Sequence, residues 1–335
     1  MNVLVTGATG FIGRHLVQRL TADRNRVRAL ALPNENTSTI DRLGVEIVRG
    51  DVCDYESVKR AAVNCERIFH LAARTESSGP SRKDFKEVNV QGTENVARAA
   101  IAAGAGRIVF CSSGALYGRD LKNRAINEET IPIPDSAYGQ SKFLAEQVLL
   151  THHRRDGLSV VLARTSAVLG PGAMSWLNLF RTIAAGRFRL IGDGHNYHHV
   201  ADISDIIEGL ALCGSVIGIE GKTFILSGAS PVRLVDLVQT IVEELRAPGL
   251  PANLPAGPFR LYAAASRHLF SWIGHRLPRA DRIDLCLGDR AYDLSLSGGV
   301  LGYSPKVTTV EAVHRTAVWF REHGYIQVPE YASHD

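Results

Sequence analysis

Thr6-Gly7-Ala8-Thr9-Gly10-Phe11-Ile12-Gly13 joins a short apolar run, Val3-Leu4-Val5, to a helical pattern marked by Ile12, Leu16, Val17 and Leu20. A strand that turns into a helix through three glycines at this spacing restricts the chain to few folds. Gly7 allows a tight turn, Gly10 lets the backbone approach a pyrophosphate, and Gly13 permits close helix–sheet packing. The N-terminus of the following helix then offers free N–H groups and a positive dipole end to an anion. A glycine turn that binds nothing is the alternative, and the strand before and helix after weigh against it.

The rest of the first half repeats the alternation. Val27–Leu32, Val45–Val48, Ile68–Leu71, Ile108–Cys111 and Val160–Ala163 read as buried strands separated by amphipathic stretches. The clearest of these runs from Asp84 to Ala103, with Phe85, Val88, Gly92, Val96 and Ala99 on one face and Gly104 as its stop. Such alternation predicts an α/β fold, a Rossmann-like doubly wound parallel sheet. After Gly170-Pro171 the pattern loosens into helical pieces at Trp176–Ala185 and Val232–Leu245, with a loop rich in Gly and Pro at Ala247–Pro258. We expect a dinucleotide-binding domain over 1–170 and a smaller C-terminal α/β substrate domain over 171–330, with 199–215 folding back onto the first.

Composition narrows the function classes. A net charge of +4 over 335 residues, without runs of Lys or Arg, does not suit nucleic acid but suits an anionic cofactor. No apolar stretch approaches the ~18 residues of a membrane span. The chain enters its first strand pattern at Asn2 without a basic-then-apolar leader, so no secretory signal is expected. Cys53, Cys65, Cys111, Cys213 and Cys286 show no paired spacing, which predicts reduced thiols and a cytoplasmic protein.

Residues at the strand ends carry the candidate chemistry, because open α/β sheets bind ligands at their carboxyl edge. The second strand ends Leu32-Pro33-Asn34-Glu35, with neither an acid nor an Arg at its tip. Glu35 is a candidate for a ribose, and Arg14 or Arg28 for a 2′-phosphate. Asp51, followed by Val52, closes the third strand where an adenine edge would lie; a turn carboxylate is the alternative. His70 reads as a satisfied core-edge histidine, while Leu71, Ala72 and Ala73 form the small surface a cofactor needs. Ser112-Ser113 ends the fifth strand.

Tyr138 and Lys142 stand four residues apart, on one face of a helix. A nearby ammonium favours phenolate and brings Tyr138 toward the range where it exchanges protons with a substrate hydroxyl. Ser113, 25 residues upstream of Tyr138, can donate to the reacting oxygen. His195, His198 and His199 lack partners at metal-ligand spacing apart from Asp193 and Asp202, so substrate contact or packing is expected and no metal. The aromatic stretch Phe259–Ile273 reads as a helix of the second domain, with a substrate lid or peripheral membrane contact as the alternative.

In order along the chain, Thr6–Gly13, Gly50-Asp51, His70–Ala73, Asn89-Val90-Gln91-Gly92-Thr93, Ser112-Ser113 with Tyr117-Gly118, Tyr138–Lys142 with Glu146, Arg164 with Gly170-Pro171, Val200-Ala201-Asp202 and Leu301–Pro305 resemble the extended short-chain dehydrogenase/reductase family, the NAD-dependent epimerase/dehydratase group. The resemblance implies Tyr138 as general acid/base, Lys142 as the residue that binds nicotinamide ribose, and Ser113 as the orienter of the reacting oxygen. It implies NAD or NADP, with NAD favoured, held by Gly7, Thr9, Gly10, Phe11, Ile12, Gly13, Asp51, Val52, Leu71, Ala72 and Ala73 together with Tyr138 and Lys142. It further implies a homodimer and hydride transfer at a CH–OH or C=O carbon of a nucleotide-linked sugar. Two departures bear on substrate: Ala167 and Leu169 stand where sugar-nucleotide members carry Asn and Tyr, and His195-Asn196 where they carry Arg-Asp. An apolar alcohol or ketone, as for hydroxysteroid or dihydroflavonol relatives, is therefore the alternative substrate, and a non-catalytic NAD(P) sensor the third reading.

Overall fold

The computed structural model describes residues 1–75, 82–118, 125–273, 283 and 286–327. The chain begins with β1 (Asn2–Thr6), α1 (Phe11–Ala22), β2 (Arg26–Ala31), the short α2 (Ser38–Asp41), β3 (Glu46–Arg49), α3 (Tyr55–Ala62) and β4 (Arg67–His70). It continues with α4 (Arg82–Asp84), a π-helical stretch Phe85–Gln91, α5 (Gly92–Ala103), β5 (Arg107–Ser113), a 3-10 turn Gly114–Tyr117, α6 (Ala137–Asp156) and β6 (Val160–Thr165). Then come β7 (Ala167–Leu169), a 3-10 turn Met174–Trp176, α7 (Leu177–Ala184), β8 (Tyr197–His198), β9 (Val200–Asp202), α8 (Ile203–Ser215), β10 (Thr223–Leu226) and β11 (Val232–Arg233). Helices α9 (Leu234–Leu245), α10 (Ala256–Ile273), α11 (Ser295–Leu301) and α12 (Thr309–Glu322) complete it.

Seven strands form one parallel sheet in the order β3-β2-β1-β4-β5-β6-β10. Both faces are covered by helices, so the strands carry continuous apolar runs rather than alternating ones. Side chains still alternate between faces. Val3, Val5, Val109 and Val161 pack with Leu16 and Val17 of α1 and with Ile206, Leu210 and Cys213 of α8. Leu4, Ile68, Ile108 and Leu162 face Val58 of α3, Val96 and Ala99 of α5, and Ala145 and Leu149 of α6. Strand order reverses between β1 and β4, and the crevice opened there at the carboxyl edge is where the glycine turn lies.

A second core gathers Phe180 of α7, Leu237, Val238 and Ile241 of α9, and Val313 and Phe320 of α12. Phe180 and Phe320 meet edge to face with centroids 5.3 Å apart. Burying one such ring contributes roughly 1.5–3 kcal/mol. The chain passes between the two cores more than once. Helix α8 packs in the first core, whereas Val200 just before it packs in the second, and β10 then adds the seventh strand beside β6.

The helix expected over Asp84–Ala103 contains the π-helical stretch Phe85–Gln91, although Phe85, Val96 and Ala99 are buried and Gly104 ends it at φ +65°. Val232–Arg233 is a strand paired with β8, and the helix starts at Leu234. Gly13 is pressed on the turn itself rather than on the sheet: a Cβ there would lie 2.0 Å from the Gly7 carbonyl oxygen. Gly7, at φ +67°, abuts the segment that leaves β4, where a Cβ would lie 2.6 Å from the Ala72 nitrogen.

Candidate active site

The glycine turn forms the floor of a cleft of about 220 Å³ lined by Gly7, Thr9, Gly10, Leu32, Glu35, Asp51, Val52, Leu71, Ala72 and Ala73, together with Leu30, Gly50, Arg74 and Val88. Gly10 is the N-cap of α1 and carries no side chain to accept from the first N–H groups of the helix. Phe11, Ile12 and Gly13 make that first turn and do not line the cleft. A tight glycine turn that leaves no room for a side chain at Gly7 or Gly13, below an uncapped helix start, has the form a dinucleotide pyrophosphate requires.

Glu35 organises the far end of this cleft. Its carboxylate accepts from the Thr9 hydroxyl at 2.5 Å and from the Leu32 amide at 3.1 Å. Arg49, at the end of β3, steadies the loop by donating to the carbonyl oxygens of Leu32 and Glu35. The two arginines considered for a 2′-phosphate are engaged elsewhere. Arg28 bonds the carbonyls of Ala61 and Val63 and pairs with Glu46, and Arg14 bonds the Pro171 carbonyl. Asp51 lines the cleft, and its carboxylate accepts from the Cys53 amide at 2.9 Å in the turn after β3.

His70 is wholly buried and doubly satisfied, as expected for a core-edge histidine. Thr93 Oγ1 donates to the Asn89 carbonyl, so it accepts from His70 Nε2; Thr6 Oγ1 accepts from the Ala72 amide, so it donates to Nδ1. Burial pushes its pKa down to about 3, with the Lys142 charge adding to this, and the ring is neutral at physiological pH.

At the other side of the crevice, the tip of β5 carries Ser113 and the first turns of α6 carry Tyr138 and Lys142. Ser136 caps α6 by accepting from the Gly139 amide at 3.1 Å. Gly139 lets that first turn press against the 3-10 turn after Ser113, since a Cβ there would lie 2.6 Å from the Ala115 carbonyl oxygen. Tyr138 is half-buried beside Phe85, and Lys142 is buried one turn further on. Lys142 Nζ donates to the Cys111 carbonyl at 2.6 Å and lies 4.1 Å from the centre of the Phe110 ring. Burial lowers its pKa to about 8, so at neutral pH it keeps most of its charge.

The two serines at the end of β5 divide their work. Ser112 points inward and donates to Glu146 at 2.5 Å. Glu146 receives a two-pronged Arg164 pair at 3.0 and 2.7 Å, and Arg164 also reaches the Tyr117 hydroxyl. Every member of this network is buried. Ser113 is partly exposed at the strand tip, where its hydroxyl accepts from the Ala115 amide at 3.2 Å.

Asn89 joins the two halves, a role the sequence did not disclose. Its amide exchanges hydrogen bonds with the Arg74 backbone and donates to Ser141 Oγ, which donates to the Tyr138 carbonyl. The π-helical stretch places this residue, and such irregular turns recur at functional sites. The only sign of it in the sequence was the segment Asn89–Thr93.

The histidines of the second unit separate. His199 donates from Nε2 to the Gly228 carbonyl and accepts from the Tyr292 amide, with its pKa pushed down to about 4 by burial. His198 accepts from Asn196. His195 is exposed and lines a cleft of about 300 Å³ with Asp193, Asn196, Tyr197, Arg260 and Asp289. Ala167 is exposed, and Leu169 is buried in the second core. In the aromatic stretch, α10 exposes Leu261 and Tyr262, while the side chains of Phe270, Trp272 and Ile273 lie outside the described residues.

The fold and the cleft define a dinucleotide-binding α/β protein of the doubly wound class. Residues 3–215 match the family model described as the NAD dependent epimerase/dehydratase family, and the chain belongs to that family. It is an enzyme of this group, whose curated members include epimerases, dehydratases and reductases. Sterol demethylase protein B of Methylococcus capsulatus is 30% identical over 97% of this chain and 100% of its own length. A dTDP-glucose 4,6-dehydratase of Actinoplanes is 28% identical over 96% and 98%. The solved dTDP-glucose 4,6-dehydratase of Streptomyces venezuelae, with NAD bound, has a TM-score of 0.78 and 26% identity over 98% of this chain and 99% of its own.

Proposed function

We propose that this chain is an NAD-dependent oxidoreductase that moves a hydride at a CH–OH or C=O carbon of a nucleotide-linked sugar. The observation that carries this reading is the buried Lys142 ammonium, held on the Cys111 carbonyl of β5 one turn of α6 beyond Tyr138, with Ser113 at the tip of the same strand. NAD, when bound, supplies the hydride acceptor or donor. Tyr138 would take or return the hydroxyl proton, Ser113 would donate to the same oxygen, and the Lys142 ammonium would hold the phenolate form of Tyr138 in reach. Gly7, Thr9, Gly10, Asp51, Val52, Leu71, Ala72 and Ala73 would hold the cofactor, with Phe11, Ile12 and Gly13 presenting the helix start. NAD over NADP is supported by Glu35 at the ribose end and by the engagement of Arg14 and Arg28 elsewhere.

The polar cleft at His195, Asn196 and Arg260 supports a substrate with many hydroxyl and charged groups. A second reading, an apolar ring alcohol or ketone, is supported by Ala167 and Leu169, which bring no diphosphate contact, and by the full-length likeness to a sterol demethylase component. Both are tested by offering the NAD-loaded protein dTDP-glucose, UDP-glucose and a 3β-hydroxysteroid, with NADH absorbance and product NMR as readouts. Conversion of a sugar nucleotide supports the first reading. Steroid oxidation, with no sugar-nucleotide binding at millimolar concentration, rejects it in favour of the second.

A homodimer through α5 and α6 is supported by the exposed Leu144 and by a groove of about 310 Å³ between the helices, lined by Val90, Val148 and Thr151 among others. Sedimentation of the wild type and of Leu144→Glu tests it, and a monomeric wild type at micromolar concentration contradicts it.

A further inference from the structure

We propose that Arg14 is a positioning residue that ties the pyrophosphate-binding turn to the loop Gly170–Ala173, so that cofactor occupancy is felt at Trp319 on α12. This rests on the reading that NAD binds at the start of α1. Arg14 sits in the first turn of that helix, with its guanidinium 5.8 Å from the Phe11 ring centre and 6.0 Å from the Trp319 ring centre. Its Nη2 donates to the Pro171 carbonyl at 2.9 Å, and His15 Nε2 lies 3.0 Å from the same oxygen.

The loop it grips is shaped to receive it. Gly172 has φ +89°, and a Cβ there would lie 1.3 Å from Arg14 Nη2, so the guanidinium occupies the space any other residue would fill. The loop is held from the opposite side by α12, whose Thr316 hydroxyl accepts from the Gly170 amide at 2.7 Å. Trp319 is fixed in turn by stacking on His323 at 4.1 Å and on Tyr325 at 5.5 Å. One planar cation thus bridges the N-terminal turn of α1, the segment leaving β7, and the helix at the centre of the second core. A Lys would keep the charge but lose the planar fork that bonds the Pro171 carbonyl while facing both rings.

The test labels the full-length protein with 5-fluorotryptophan and identifies the Trp319 resonance through Trp319→Phe. NAD is then titrated into the wild type, Arg14→Met and Arg14→Lys, with calorimetry run in parallel. Arg14→Met keeps an apolar side chain near the rings and lacks the bond to Pro171. The expected result is a Trp319 shift on NAD binding in the wild type that is absent in Arg14→Met and reduced in Arg14→Lys. NAD affinity should stay within about threefold, while kcat falls about tenfold or more because the loop is misplaced. An unchanged Trp319 response and unchanged kcat in Arg14→Met overturns the proposal. Absence of NAD binding to the wild type by calorimetry overturns the cofactor reading and this proposal together; NAD binding with a silent Trp319 overturns this proposal alone.

Discussion

Lys142 Nζ donates to the Cys111 carbonyl at the heart of β5, one turn of α6 beyond Tyr138. The ammonium is buried, and that burial lowers its pKa to about 8. Its charge is therefore present at neutral pH and lost as the pH rises through that value. Activity that depends on the charge should fall on the alkaline side, and kcat/KM should report it because that ratio follows the free enzyme. Lys142→Arg, which does not titrate in this range, should move the alkaline fall upward. An alkaline limb at the same pH in both proteins would reject the assignment.

The same shift has a consequence for stability. A lysine whose folded pKa lies below its unfolded value binds fewer protons in the folded state between the two, so unfolding free energy rises with pH across that window. Between pH about 8 and the ordinary lysine range, urea unfolding of the wild type should show this rising contribution from Lys142. It should be absent in Lys142→Met; identical pH slopes in the two proteins would contradict it.

Glu35 accepts from Thr9 and from the Leu32 amide at the end of the cofactor cleft. Glu35→Gln should weaken NAD binding about tenfold, the cost of about 1.4 kcal/mol expected for losing a charged hydrogen-bond acceptor. NADP binding should weaken less or improve. Calorimetry with both cofactors decides this, and an equal loss for the two would exclude Glu35 as the discriminating residue.

Glu146 and Arg164 form a buried pair that also holds Ser112 and Tyr117. Removing one partner strands the other charge away from water. Glu146→Leu should therefore lower unfolding free energy by about 3–5 kcal/mol. A loss below about 1 kcal/mol, the range of exposed pairs, would show that the network is open to solvent.

Much of the site was readable because its parts are local in the chain. Gly7, Gly10 and Gly13 lie within one turn, and Tyr138 and Lys142 within one turn of helix, so spacing alone fixes their relation. Parallel strands announced themselves through runs such as Val3-Leu4-Val5 and Val160–Ala163. What sequence did not disclose depends on distant segments meeting. Strand β10 is recognisable only once it pairs with β6, and the Ser112–Glu146–Arg164 network joins three elements that no local pattern links. Asn89 reaches Ser141 because a π-helical stretch rotates it inward, a departure from the 3.6-residue period that a hydrophobic pattern cannot reveal. Gly13 was expected against the sheet and lies instead on the Gly7 carbonyl, since its neighbour is set by the path of the turn.

Tyr138 would exchange the substrate proton beside a bound NAD, and Tyr138→Phe is the decisive variant. The variant keeps the ring against Phe85 and removes only the hydroxyl. With whichever substrate the wild type converts, kcat should fall by about a hundredfold to ten-thousandfold, the usual worth of a positioned acid/base, while NAD affinity by calorimetry changes by less than about threefold. Turnover within about threefold of the wild type, at equal NAD occupancy, would contradict the account.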